Sequence, residues 1–139
     1  MYNETMTVAS ATSVVLVEDD SFISGMYQTK LGSLGFAVEV IDNGAAAAER
    51  LSKPPLPDLI LLDVVLPQKD GFEILEELRR DSRTRNVPVI LLTNLGQKPD
   101  VERGIKLGAD DYIIKAHFTP SEVVEKITKV LEDKKKSTT

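Results

Sequence analysis

The chain has 139 residues, no cysteine and a single histidine, which excludes disulfide scaffolds, thiolate metal centres, iron–sulfur clusters and any zinc site or triad built on paired histidines. Seventeen basic against 22 acidic residues give a formal net charge of −5, a balance that argues against nonspecific binding to nucleic acid. With 42% hydrophobic and 28% charged residues, the composition is that of one globular domain able to bury roughly two-thirds of its unfolded surface.

Residues 1–12 are polar and aperiodic and are expected to form a disordered leader. They carry neither the basic region nor the apolar stretch of a secretory signal. No apolar run approaches the roughly 18 residues that span a bilayer, so a soluble, cytoplasmic protein is expected. Ser13–Val17 reads as a first strand, followed by a helix in which Phe22, Met26 and Leu34 recur at helical spacing and Gly35 is the stop. Phe36–Ile41 reads as a second strand, and Ala45–Leu51 as an alanine-rich helix preceded by Asn43 and Gly44. Leu59–Leu62 is the third strand. The helix after it presents Phe72, Leu75 and Leu78 on one face and Glu73, Glu76, Glu77, Arg79 and Arg80 on the other. Val87–Leu92 is the fourth strand, with a weaker helix over Asp100–Leu107. Gly104 and Gly108 read as ordinary helix and turn glycines. Tyr112–Ile114 is the fifth strand. The last helix starts near Thr119–Pro120, where proline suits the first helical position, and buries Val123, Val124, Ile127, Val130 and Leu131. One domain is expected over residues 13–132, with a basic flexible tail over 133–139, although its run Lys134, Lys135 and Lys136 also reads as a solvated helix end or as a tail for an acidic partner.

Three of the five strands are almost continuously apolar and rich in Val, Ile and Leu, as in parallel sheets covered by helices on both faces. Five alternating strand–helix units with right-handed crossovers predict an α/β fold, a doubly wound five-stranded parallel sheet of the flavodoxin-like type with strand order 2-1-3-4-5.

Polar residues stand at the ends of those strands. Glu18, Asp19 and Asp20 follow the first, Asp63 the third, Thr93 the fourth and Lys115 the fifth. In a parallel sheet these ends share one edge, where doubly wound folds bind ligands. Crowded carboxylates share protons or bind a cation, and an all-oxygen set without His or Cys favours Mg²⁺. A lysine and a threonine hydroxyl suit phosphate oxygens, and a central aspartate can accept a phosphoryl group as an acyl phosphate. Plainer roles stand beside these. The acidic triplet can cap the first helix, with Asp20 the foremost candidate; Thr93 can be a strand-end hydroxyl, Lys115 a counter-ion and Tyr112 a surface strand aromatic.

Five segments, in order, resemble the receiver domain of two-component response regulators. They are Leu16-Val17-Glu18-Asp19-Asp20, Leu61-Leu62-Asp63-Val64-Val65-Leu66-Pro67, the Gly71 that follows it, Val89-Ile90-Leu91-Leu92-Thr93 as the fourth-strand signature, and Gly108-Ala109-Asp110-Asp111-Tyr112-Ile113-Ile114-Lys115 as the fifth. The resemblance spans about Ser13 to Leu131. It implies that Asp63 is phosphorylated and that Glu18, Asp19, Asp63 and the Val65 carbonyl hold Mg²⁺. Thr93 and Lys115 then contact the phosphoryl oxygens, and Tyr112 is the switch aromatic. It also implies a histidine kinase or histidine phosphotransfer protein as donor. The output is a downstream protein target or a separate output domain, read through the helix 4–strand 5–helix 5 face, which can also mediate a homodimer. No direct contact with nucleic acid or membrane is expected, nor any catalysis beyond the chain's own phosphorylation and dephosphorylation. The length leaves no room for an output domain, so either a stand-alone receiver or a fragment of a longer regulator is expected.

Two positions depart from the family pattern. Ala116 stands where proline usually follows the lysine through a cis bond. Because a non-proline cis bond costs about 3–4 kcal/mol, a trans bond and a differently aimed lysine are expected. Asn94 stands where a small residue usually follows the threonine, and it is expected to restrict inward rotation of Tyr112. Val65 and Leu95, each two residues beyond a site residue, are apolar, which predicts a long-lived phosphoryl group. The rival classes are a constitutive interaction module with the same fold, an aspartyl phosphatase of the haloacid-dehalogenase type and a flavin-binding flavodoxin. The second lacks its Asp-x-Asp pattern after the first strand, and the third lacks a hydroxyl- and glycine-rich phosphate loop.

Overall fold

The computed structural model describes residues 11–137. The expected leader therefore falls almost wholly outside the described residues, as do the last two residues of the expected tail. In chain order the elements are β1 (Ser13–Val17), α1 (Ser21–Ser33), β2 (Ala37–Ile41), α2 (Gly44–Leu51), β3 (Leu59–Leu62), α3 (Gly71–Arg80), β4 (Val89–Thr93), α4 (Lys98–Lys106), β5 (Asp111–Ile114) and α5 (Pro120–Ser137). The strands form one sheet in the order β2-β1-β3-β4-β5, and every neighbouring pair is parallel. This is the expected architecture.

Each residue type has a local reason for its place. The central strands β3 and β4 are buried at every position, so their Leu, Ile and Val side chains pack on both faces. Along β1 the side chains alternate. Val15 and Val17 join Leu62, Phe72, Leu75 and Leu78 on one side, and Val14 and Leu16 join Tyr27, Leu31, Val123 and Ile127 on the other. Helices α1 and α5 thus cover one face, and α2 and α3 the opposite one. Helix starts are capped by the residues that favour them. Asn43 Oδ1 accepts from Ala46 N at 2.8 Å. Asp70 and Glu73 form a reciprocal capping box on α3. Thr119 and Glu122 exchange the same pair of bonds at the start of α5, at 3.1 and 2.8 Å, and Pro120 is its first residue.

Two expectations change. Phe22, Met26 and Leu34 do not pack inward: they are 81%, 37% and 54% exposed, while Ser24, Tyr27 and Leu31 are the buried residues of α1. Ile23, Tyr27 and Leu31 form a second stripe at the same spacing, and periodicity alone does not say which of two such stripes meets the sheet. At the other end, α5 continues through Ser137, so Lys134, Lys135 and Lys136 lie in its last turns, where cations favour the helix dipole, rather than beyond it.

Candidate functional site

The parallel register carries the polar residues to one edge. Val17 pairs with Leu62, Leu62 with Leu91 and Thr93 with Ile114, so the next residues of β1, β3 and β5 (Glu18, Asp63 and Lys115) leave the sheet side by side. Backbone bonds hold the exits: Glu18 N donates to Ile41 O at 2.9 Å, and Asp63 N to Val17 O at 3.0 Å. Glu18, Asp19, Asp63, Thr93, Lys115 and Val65 all line one crevice.

Glu18 and Asp63 are buried and Asp19 is exposed, yet one carboxylate oxygen from each lies within 4.8 Å of the others. Lys115 Nζ bridges the two buried acids, 2.5 Å from Glu18 Oε1 and 2.7 Å from Asp63 Oδ2. The remaining oxygens accept backbone amides, Asp63 Oδ1 from Val65 N and Glu18 Oε2 from Asp20 N, both at 3.1 Å. Burial pushes Glu18 above the usual carboxylate range, against the opposing pull of Lys115 and the Asp20 amide. Burial also works to lower Lys115, but its bonds to Asp63 and Glu18 outweigh it and hold the ammonium above its ordinary value. Three carboxylates against one ammonium leave an excess of negative charge, and the ligand atoms are all hard oxygens. Such a donor set fits a divalent cation of the Mg²⁺ kind.

The loop after β3 folds tightly over the acids. Gly71 N donates to Val64 O at 2.8 Å, and a Cβ on Gly71 would fall 2.3 Å from Asp63 O and 2.8 Å from Val64 Cα. Any side chain there would push the loop off Asp63. Asp20 takes the plainer role, its Oδ1 capping α1 by accepting from Phe22 N and Ile23 N at 2.9 and 3.2 Å.

Thr93 is buried at the end of β4 and its Oγ1 accepts from Leu95 N at 3.2 Å. The Leu95 carbonyl in turn accepts a hydrogen bond from the Tyr112 hydroxyl. One residue, Leu95, therefore links the threonine to the tyrosine. Tyr112 is half-buried, and burial, followed by Asp100 and Asp63, pushes its phenol up to about 12. Its ring rests where α4 has no side chain. A Cβ on Gly104 would stand 2.7 Å from Tyr112 Cδ2 and 2.7 Å from Leu91 Cδ1. Gly104 is thus no ordinary helix glycine; its spacing from Tyr112 in sequence gave no hint of the contact.

The two departures from the family pattern meet each other in the structure. Among the described residues the cis peptide bond is Pro54–Pro55, so Lys115–Ala116 is trans as expected, but the lysine still reaches the acids. The Asn94 Oδ1 accepts from Ala116 N at 3.0 Å, while the Tyr112 ring lies beside Gly104 and Leu91.

A family model for the response regulator receiver domain matches residues 14–128. The chain is 40% identical over 121 residues to the phosphate regulon transcriptional regulatory protein PhoB of Escherichia coli, covering 87% of this chain and 52% of that one. Among solved structures it is similar to a putative response regulator from Chloroflexus aurantiacus (TM-score 0.81, 30% identity, 88% of this chain and 98% of that one). It is also similar to the BeF₃-activated receiver domain of RstA from Klebsiella pneumoniae (TM-score 0.77, 32% identity, 86% and 97%). The chain spans about half the length of the curated relatives it matches.

Proposed function

The chain belongs to the response regulator receiver domains of two-component systems, and from that membership we propose that it is a cytoplasmic switch set by phosphorylation of Asp63. The observation that carries the reading is the position of Lys115 Nζ, which touches Asp63 Oδ2 at 2.7 Å in the crevice that Thr93 also lines. The donor is a histidine kinase or a histidine phosphotransfer protein. An Asp63 carboxylate oxygen forms the bond to phosphorus as the P–N bond to the donor histidine breaks. The leaving imidazole nitrogen keeps the electron pair and takes a proton from solvent. Glu18, Asp19, Asp63 and the Val65 carbonyl would hold Mg²⁺, which when bound offsets charge on the phosphoryl oxygens.

The protein's own groups do the rest. The phosphoryl group brings about −1.5 to −2 charge, which the Lys115 ammonium opposes at once. Thr93 Oγ1 keeps its proton free to donate, since its bond with Leu95 uses the oxygen as acceptor. Drawing Thr93 toward a phosphoryl oxygen pulls on the Leu95 amide, and the Leu95 carbonyl holds the Tyr112 hydroxyl. The strain therefore reaches Tyr112 and the surface formed by α4, β5 and α5, where a target, an output domain or a second copy binds. Catalysis is confined to the chain's own phosphorylation and dephosphorylation. The apolar Val65 and Leu95 hold no water for hydrolysis, which favours a long-lived phosphoryl group.

Intact mass after incubation with acetyl phosphate and Mg²⁺ tests the reading. The wild-type protein is expected to gain one phosphoryl group and Asp63→Asn none. An unmodified wild type, or an adduct that persists in Asp63→Asn, contradicts it.

A further inference from the structure

Directly behind Lys115, this chain places an exposed amide hydrogen that the local turn leaves unbonded. Residues Lys115–His117 form a 3-10 turn, and amides at the start of such a turn have no partner within it. The Ala116 amide finds one in Asn94 Oδ1, at 3.0 Å. Asn94 follows Thr93 and Ala116 follows Lys115. A single side chain thus ties the loop that follows the hydroxyl of the crevice to the turn that carries its ammonium. Asn94 itself lines that crevice.

β5 ends at Ile114, so the backbone leaves the sheet at Lys115. Its four-carbon stem is flexible, and its ammonium must reach Glu18 and Asp63 at the same time. Fixing the amide that follows Lys115 fixes the direction in which its side chain leaves the backbone. It does so from the residue beside Thr93, so the two groups that face the phosphoryl oxygens keep a set spacing.

We propose that Asn94 is a positioning residue for phosphoryl transfer to Asp63, acting through its hydrogen bond to the Ala116 amide to hold Lys115 in register with Thr93. The proposal rests on the phosphoacceptor reading given above. It assigns Asn94 no contact with the cation and none with the phosphoryl group.

The test compares wild type with Asn94→Ala, which removes the acceptor, and Asn94→Asp, which keeps an oxygen in its place. Phosphorylation by acetyl phosphate is followed by intact mass across a Mg²⁺ titration, and exchange of the Ala116 amide by NMR. Asn94→Ala is expected to lower the limiting rate about threefold to tenfold, the span of one net hydrogen bond, with the Mg²⁺ midpoint within about twofold of wild type. It should also speed exchange at Ala116, and Asn94→Asp should restore the protection and most of the rate. An Asn94→Ala protein that matches wild type in rate or in Ala116 exchange overturns the role of Asn94 while phosphorylation of Asp63 stands. A defect that Asn94→Asp leaves in place overturns it as well, and so does a shifted Mg²⁺ midpoint at an unchanged limiting rate. A wild type that takes up no phosphoryl group removes the underlying reading and this proposal together.

Discussion

Lys115 Nζ lies 2.5 Å from Glu18 Oε1, an ammonium from the end of β5 against a carboxylate from the end of β1, with the two strands β3 and β4 between them. The contact brings together almost the whole length of the domain, and it also balances the second buried acid, Asp63.

Removing that ammonium leaves two buried carboxylates without their counter-ion. Breaking a fully buried pair costs about 3–5 kcal/mol, and the slight exposure of Lys115 brings the expected loss for Lys115→Ala to about 2–3 kcal/mol. Urea denaturation in EDTA measures it. Added Mg²⁺ should recover part of the loss, because a divalent cation supplies the missing charge. Equal stability of variant and wild type in EDTA would show that the lysine balances nothing.

A cation held by Glu18, Asp19 and Asp63 binds the folded chain alone, so Mg²⁺ should raise the melting temperature. The gain reaches about 2.7 kcal/mol when the ion stands at 100 times its dissociation constant. Glu18→Gln and Asp63→Asn should shrink the shift. Asp20→Asn should leave it in place, since its side chain is engaged in capping α1 and asparagine caps as well. A melting point indifferent to Mg²⁺ would remove the cation from the site.

Gly104→Ala offers a test by sign. In a helix interior alanine is normally more stable than glycine by about 1 kcal/mol. Here the added methyl meets Tyr112 and Leu91 at 2.7 Å, and overpacking typically costs about 1–3 kcal/mol. The variant is expected to be destabilised and to show displaced Tyr112 ring signals in NMR. A stabilised variant with an unmoved ring would refute the contact.

Tyr112 also predicts alkaline behaviour. Burial, with Asp100 and Asp63 nearby, raises its phenol to about 12, against about 10 in an unfolded chain. The folded state therefore binds more protons across that interval. The contribution is intact below about pH 10 and is lost as pH rises toward 12. The stability of wild type, measured by denaturation across this range, should fall more steeply with pH than that of Tyr112→Phe. Coincident slopes would place the phenol in water.

The strands were legible because burial on both faces demands unbroken apolar runs, and Leu59–Leu62 and Val89–Thr93 have no other use for them. The acids, Thr93 and Lys115 were legible for a related reason: parallel strands bring their ends together however far apart they lie in sequence. The inward face of α1 was not. Phe22 and Met26 are apolar at helical spacing but face solvent, and the choice was made by the fit of Tyr27 and Leu31 against the sheet. Gly104 was opaque because its importance is an absence of atoms, visible only when the Tyr112 ring is placed beside it. Asn94 and Ala116 were noticed singly as departures. That each answers the other, acceptor to donor, depends on two loops meeting in space.

The order of the strands places Asp63 at the end of the middle one, hydrogen-bonded on either side, while β5 forms a border of the sheet. On the proposed reading, a phosphoryl group on Asp63 is therefore separated from that border by the single strand β4.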